Sequence, residues 1–154
     1  MKNNEDIKYI ARNRKAKYNY EIHSSFEAGI ELLGTEVKSI REGKVTLSDS
    51  YAVVEKGQVF LRNLHISAYK MASDENHDPL RVRRLLLHKR EIRKLQSQID
   101  QKGMTLIPLG IYFKKKVAKI ELALVVGRKK YDKRQAIAKA EADRKIKNAT
   151  KKNY

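Results

Sequence analysis

The chain has 154 residues, no cysteine and no tryptophan, and its 35 Lys and Arg against 18 Asp and Glu give a formal net charge of +17. This length suits one domain that buries roughly 68–70% of its unfolded surface, and the charge favours polyanions over small neutral molecules as partners. The lack of cysteine excludes disulfides, thiol nucleophiles and Cys-ligated metals, and no stretch approaches the ~18 apolar residues of a membrane span, so no membrane partner is expected.

The first segment, residues 1–17, reads as a basic arm with Arg12, Arg14, Lys15 and Lys17 close together and no apolar leader. A soluble, unprocessed cytoplasmic protein is expected. Tyr20 to Leu32, with Ile22, Phe26, Ile30 and Leu32, reads as a strand. The stretch GTEVKSIREG predicts a short helix with Thr35 as N-cap, Glu36 at the positive end of the dipole and Gly43 as the stop. Tyr51 to Val54 and Val59 to Leu64 flank Lys56-Gly57, a hairpin signal.

After the polar loop YKMASDENHDP, the pair Asp78-Pro79 predicts a helix start, running to about Asp100 and stopping near Gly103. Val82, Leu85, Leu86, Ile92, Leu95 and Ile99 form its inner face, and Arg83, Arg90 and Lys94 an outer charged stripe. Two strands follow, Met104 to Phe113 and Val117 to Val126, with Ala118, Ile120, Leu122 and Leu124 inward and Lys119 and Glu121 outward. The expected architecture is mainly β: an OB-like oligonucleotide-binding barrel over residues 18–127, with flanking helices.

Residues 128–154 are different in kind. They hold eleven basic and three acidic residues, nearly half of the charge excess. Asp132 to Asn148 is rich in helix formers, yet its apolar side chains, chiefly Ile137 and Ile146, are too few to anchor it. A tail disordered when free is expected, with a docked helix of about 25 Å.

Catalytic signatures are missing. REGKVT is not a Walker A loop, because Lys38 stands where the upstream glycine belongs and Val45 follows Lys44. His23, His65, His77 and His88 form no HExxH, so neither a metal nor another cofactor is predicted. Glu27 and Glu31 share one face of their strand and read as surface carboxylates. Nothing positive supports an RNA-cleaving activity.

Binding chemistry is present instead. The arm, the Arg81, Arg83 and Arg84 cluster and Lys119 can neutralise phosphates, with each isolated lysine read as a solvated charge. Tyr18 and Tyr20 offer rings for stacking on unpaired bases, or pack as strand residues.

NRKAKYNY, EAGIELLGTEVKSIREGK, SDSYA, DPLRVRRLLLHKREI and KGMTLIPLGIYFKKKVAKIELALVVGRKKYDKR together resemble the small protein B family, the tmRNA-binding (SsrA-binding) proteins of bacteria. The match runs in order from about Ala11 to Arg134. The resemblance implies a monomeric, non-enzymatic protein that binds the tRNA-like domain of tmRNA. It also implies support of alanylation by alanyl-tRNA synthetase and of delivery with elongation factor Tu, and seating in stalled ribosomes at the decoding centre. The tail would then fold in the empty mRNA channel.

By the same resemblance, Asn13, Arg14, Lys15, Tyr18, Glu27, Leu86 and Lys119 fall at RNA-contact positions, and Gly127, Tyr131, Asp132, Lys133 and Arg134 at positions needed on the ribosome. Glu27 would accept hydrogen bonds from base amino or imino groups. Tyr18 and Tyr131 stand where many members carry histidine. The alternative from the residues alone is a basic ribosomal or RNA-modifying protein on a similar barrel.

Overall fold

The computed structural model describes residues 7–72, 75–127 and 130–152, with residues 130–133 and 148–152 described by backbone alone. In chain order the elements are β1 (Ile7–Arg12), α1 (Ala16–Asn19), β2 (Tyr20–Ile30), α2 (Gly34–Arg41), β3 (Val45–Thr46), β4 (Tyr51–Glu55) and β5 (Gln58–Arg62). They continue with β6 (His65–Ile66), β7 (Arg83–Leu86), α3 (Lys89–Lys102), β8 (Thr105–Lys114), β9 (Val117–Gly127) and α4 (Lys130–Lys152).

Alternation in β9 sets the fold. Ala118, Ile120, Leu122 and Leu124 are buried as expected, and the strand pairs antiparallel with β2 on one side and β8 on the other. The main sheet runs β1-β8-β4-β5-β7-β2-β9, and the β8–β9 pairing closes it on itself. The result is a barrel whose interior also takes Val59, Leu61, Leu85, Leu106 and Ile111. Ile40 of α2 and Ile92 and Leu95 of α3 complete that core. β3 and β6 form a separate small ladder. Among the described residues no helix is long and apolar enough to cross a membrane.

Three sequence-based expectations change. Residues 7–12 of the arm form an edge strand paired with β8, from Ile7↔Lys114 to Arg12↔Gly110. The helix expected from Pro79 is replaced by a turn, in which Asp78 Oδ1 accepts from Leu80 N at 2.9 Å, and then by β7. Leu85 and Leu86 pair with Ile30 and Gly29, filling the gap between β5 and β2, and the helix starts only at Lys89. Its first turn is capped by Glu91, whose carboxylate accepts from His88 N at 3.0 Å. The tail, expected to be disordered when free, is helical from Lys130 to Lys152, where strong helix formers meet a docking surface on α1.

The shift from helix to strand turns Arg83 inward. It was expected to be an exposed phosphate contact; its accessibility is instead 0%, and it donates to Glu36 and, at 2.7 Å, to the Leu64 carbonyl. Glu36 also accepts from Arg81 Nη2 at 2.6 Å and from Leu33 N at 2.7 Å, so it closes the first turn of α2 in place of Thr35. Thr35 donates to His77 Nδ1 at 2.9 Å, while the opposite ring nitrogen donates to the Ile66 carbonyl at 2.9 Å. Burial pushes the Glu36 carboxyl up, but the bonds from Arg81, Leu33 N and Arg83 outweigh it and hold the group below the usual range.

Arg83→Met leaves the buried Glu36 with Arg81 as its remaining cation and strips the Leu64 carbonyl of its donor, so it is expected to lower unfolding stability toward the low end of the roughly 3–5 kcal/mol that breaking a buried pair costs, read by urea titration. The sign with pH follows from the lowered carboxyl. Glu36 stabilises the fold fully above its unfolded-state pKa, about 4.3, and this contribution is lost as pH falls through the lower folded value. Glu36→Gln is therefore expected to flatten the acid limb of stability against pH, measured by urea midpoints from neutral pH downward.

Candidate nucleic-acid interface

Cross-strand register assembles one outer face of the barrel from five strands. Leu86 of β7 stands opposite Gly29 of β2, Gly29 opposite Lys119 of β9, Lys119 opposite Tyr112 of β8, and Tyr112 opposite Tyr9 of β1. The neighbouring row runs Glu27, Glu121, Gly110 and Arg12. Two rows thus carry charged and aromatic side chains on a face whose reverse is the apolar core.

Glycine permits close packing at two points of this face. A Cβ on Gly110 would lie 3.0 Å from the Tyr9 ring, and one on Gly29 would lie 3.2 Å from Leu86 Cβ. With no side chain at Gly110, Tyr9 lies down on the sheet and covers Tyr112; the ring centroids are 5.0 Å apart at 47°. The Arg12 guanidinium sits 3.8 Å above the Tyr9 centroid, a cation–π stack.

Both tyrosines donate to carboxylates. Tyr112 Oη donates to Glu27 Oε2 and Tyr9 Oη to Glu121 Oε2 at 2.6 Å. Lys114 Nζ approaches Glu27 at 3.5 Å. The Tyr112 bond holds the Glu27 carboxyl below the usual range; burial pushes it up, and Lys114 and Lys119 add to the lowering. Conversely, burial and the bond to Glu27 raise the Tyr112 phenol, and the bond to Glu121 raises that of Tyr9.

The turn from β1 into α1 borders this face. Asn13 braces it, donating from its backbone N to the Leu109 carbonyl at 2.7 Å and from Nδ2 to the Pro108 carbonyl at 3.1 Å. Ala16 is buried on Ile107, Ala123 and Val125, with Tyr20 packed beside it. Anchored in this way, the turn holds Arg14 and Lys15 out in solvent and Tyr18 half-exposed. Helix α4 packs on α1, and a groove between them is lined by Arg12 and Tyr18 on one wall and Lys139 and Arg144 on the other.

The structure therefore brings together Asn13, Arg14, Lys15, Tyr18, Glu27, Leu86 and Lys119, read from distant parts of the sequence. Arg83 is buried beneath the surface, and Arg81 spends its charge on Glu36. Glu31 pairs with Arg84 at 2.6 Å. Gly127 ends β9 opposite Tyr20. Arg134 is exposed on α4; the side chains of Tyr131, Asp132 and Lys133 lie outside the described residues. Sequence reasoning missed Tyr9 and Tyr112. The available signal was Tyr112 itself, a hydroxyl-bearing ring between Ile111 and Phe113 in the apolar run of β8.

A closed antiparallel barrel with a basic turn, exposed cations and tyrosines on one outer face defines a nucleic-acid-binding protein of the oligonucleotide-binding barrel type. More narrowly, the chain belongs to the SmpB protein family, whose model matches residues 10–152. It is 58% identical over 147 residues to the SsrA-binding protein of Halothermothrix orenii, covering 96% of this chain and 95% of that one. It is 54% identical over 142 residues to the SsrA-binding protein of Geobacillus thermodenitrificans, covering 92% of each. A solved structure described as "tmRNA-SmpB: a journey to the center of the bacterial ribosome" superposes with a TM-score of 0.66 at 47% identity, over 82% of this chain and 93% of that chain.

Tyr112→Phe removes the strongest influence holding Glu27 ionised. The Glu27 pKa is expected to rise toward its ordinary value, with little change in fold, when its carboxyl is followed by NMR pH titration.

Proposed function

We propose that this chain binds the tRNA-like domain of tmRNA through the outer face of β2, β9, β8 and β1 together with the Arg12–Tyr18 turn, and acts in trans-translation. The observation that carries this reading is the register that sets Lys119 beside Tyr112, Glu27 and Leu86 on a face continuous with the basic turn. The reading is supported by relatives named SsrA-binding protein and by a similar solved structure whose description names tmRNA and the bacterial ribosome. Chemically the parts are complementary. Arg14, Lys15 and Lys119 neutralise phosphates, Tyr18 and Leu86 offer flat or apolar contact to bases, and Glu27 accepts from donors of the RNA.

The protein works as a monomeric RNA-binding adaptor in the cytoplasm, with no reaction of its own. It supports alanylation of tmRNA and its delivery with elongation factor Tu to the A site of a stalled ribosome. Gly127, Tyr131, Asp132, Lys133 and Arg134 act there at the decoding centre. The tail helix enters the empty mRNA channel; its 23 residues would extend about 35 Å, and its basic residues suit a path lined by phosphates.

The two surfaces have separable tests. Lys119→Ala is expected to weaken binding to the tRNA-like domain and to reduce the salt slope of that binding by about 0.7–0.9, one phosphate contact. Asp132→Ala with Lys133→Ala is expected to leave RNA binding unchanged and abolish peptide tagging in a reconstituted stalled-ribosome assay. Equal loss of RNA binding in both variants would contradict the division of labour.

A further inference from the structure

Carboxylates are out of place on a surface that binds phosphate. Glu27 and Glu121 stand directly opposite one another on β2 and β9, an arrangement of like charges that destabilises a sheet and repels the backbone of an RNA. Both are nevertheless built in. Tyr112 holds Glu27 and Tyr9 holds Glu121, the two rings pack on each other, and Arg12 stacks over Tyr9. A carboxylate offers about four lone-pair sites, so the tyrosine bond orients each group and leaves acceptor capacity facing outward. Glu121 is half-buried at the rim of the groove beside Arg12, accessible from solvent.

We infer that Glu121, positioned by the Tyr9 hydroxyl, is a second acceptor on the RNA face, and that with Glu27 it selects hydrogen-bond donors of a folded RNA where phosphate is excluded. The donors are ribose hydroxyls or the amino edge of guanine, the exposed donors that fit a fixed carboxylate. Cβ atoms of opposed cross-strand residues lie about 4.5–5.5 Å apart, so the pair can engage one nucleotide or two consecutive ones. Lys119, Lys114 and Arg12 then take the flanking phosphates. The inference rests on the tmRNA reading and adds a selectivity device to it.

The sign of one substitution tests the idea. If Glu121 is only a surface charge, Glu121→Gln makes the protein more basic and tightens its binding to every RNA. If it is an acceptor for the folded RNA, the full-length Glu121→Gln chain binds the tRNA-like domain of tmRNA about tenfold more weakly, while binding to a single-stranded homopolymer of equal length is unchanged or tighter. Tyr9→Phe keeps the ring, its stack with Arg12 and its contact with Tyr112, and is expected to lower the same selectivity ratio at an unaltered melting temperature.

Two modified RNAs separate the donors. The Glu121→Gln effect is expected to vanish on the RNA carrying 2′-deoxy residues at its elbow or on the one with inosine for guanine. An effect that persists on both, or a substitution that leaves the tRNA-like domain bound as tightly as before, overturns the acceptor role. Wild-type protein that binds both unmodified RNAs alike overturns the tmRNA reading itself, a result distinct from either.

Discussion

The register of β9 between β2 and β8 is the constraint on which both halves of the molecule depend. It is fixed on one side from Gly29↔Lys119 to Tyr20↔Gly127, and on the other from Lys114↔Val117 to Thr105↔Val125. Side chains alternate with a period of two, so a slip of one residue would expel Ile120, Leu122 and Leu124 and drive Lys119 and Glu121 into the core. That outcome is prohibitive, because it would strand charges among apolar groups. The hydrophobic effect thus sets the register, and the register places the charges. Bulges between Ile22 and Ser24 and between Pro108 and Gly110 then re-aim the strands where α1 and the basic turn attach.

A second constraint holds the opposite part of the barrel. Glu36 and Arg83 are both fully buried, and their contacts tie α2 to β7 and to the Leu64 and Pro79 carbonyls. A charge pair of this sort contributes less net stability than an apolar replacement of equal volume can. What it provides is a fixed meeting point for α2, the 64–81 connection and β7. Since β7 carries Leu86 beside Gly29, this clamp also fixes one edge of the proposed RNA face.

The long strands were legible in the sequence: β9 alternates, β8 is an apolar run closed by the lysine turn at 114–116, and β2 spaces Ile22, Phe26, Ala28 and Ile30 by even steps. It misled at Asp78-Pro79, where a helix-opening pair closes a single turn and the run Leu85, Leu86, Leu87 fits helical as well as strand spacing. A strand with arginine at a core position is a pattern that local periodicity does not favour, and only the distant Glu36 makes it sensible. Site residues divide in the same way. Lys119 and the arm cations were visible as basic residues in suitable segments. By its local pattern Glu27 is a surface carboxylate, and only the family resemblance gives it an expected RNA role. Tyr9 and Tyr112 remained hidden because their role depends on the pairing of β1 with β8, which brings together residues about a hundred positions apart.

The central claim is that recognition belongs to the barrel face and the basic turn, with the tail helix serving another partner. The most direct test compares the full chain with one ending at Gly127 for binding to the tRNA-like domain of tmRNA, in the presence of excess alanine tRNA and at two salt concentrations. Equal preference for the tmRNA domain by both chains, retained at the higher salt, is the result this account requires. Loss of that preference on removing the tail would contradict it, since recognition would then reside in the basic tail rather than in the register of β9.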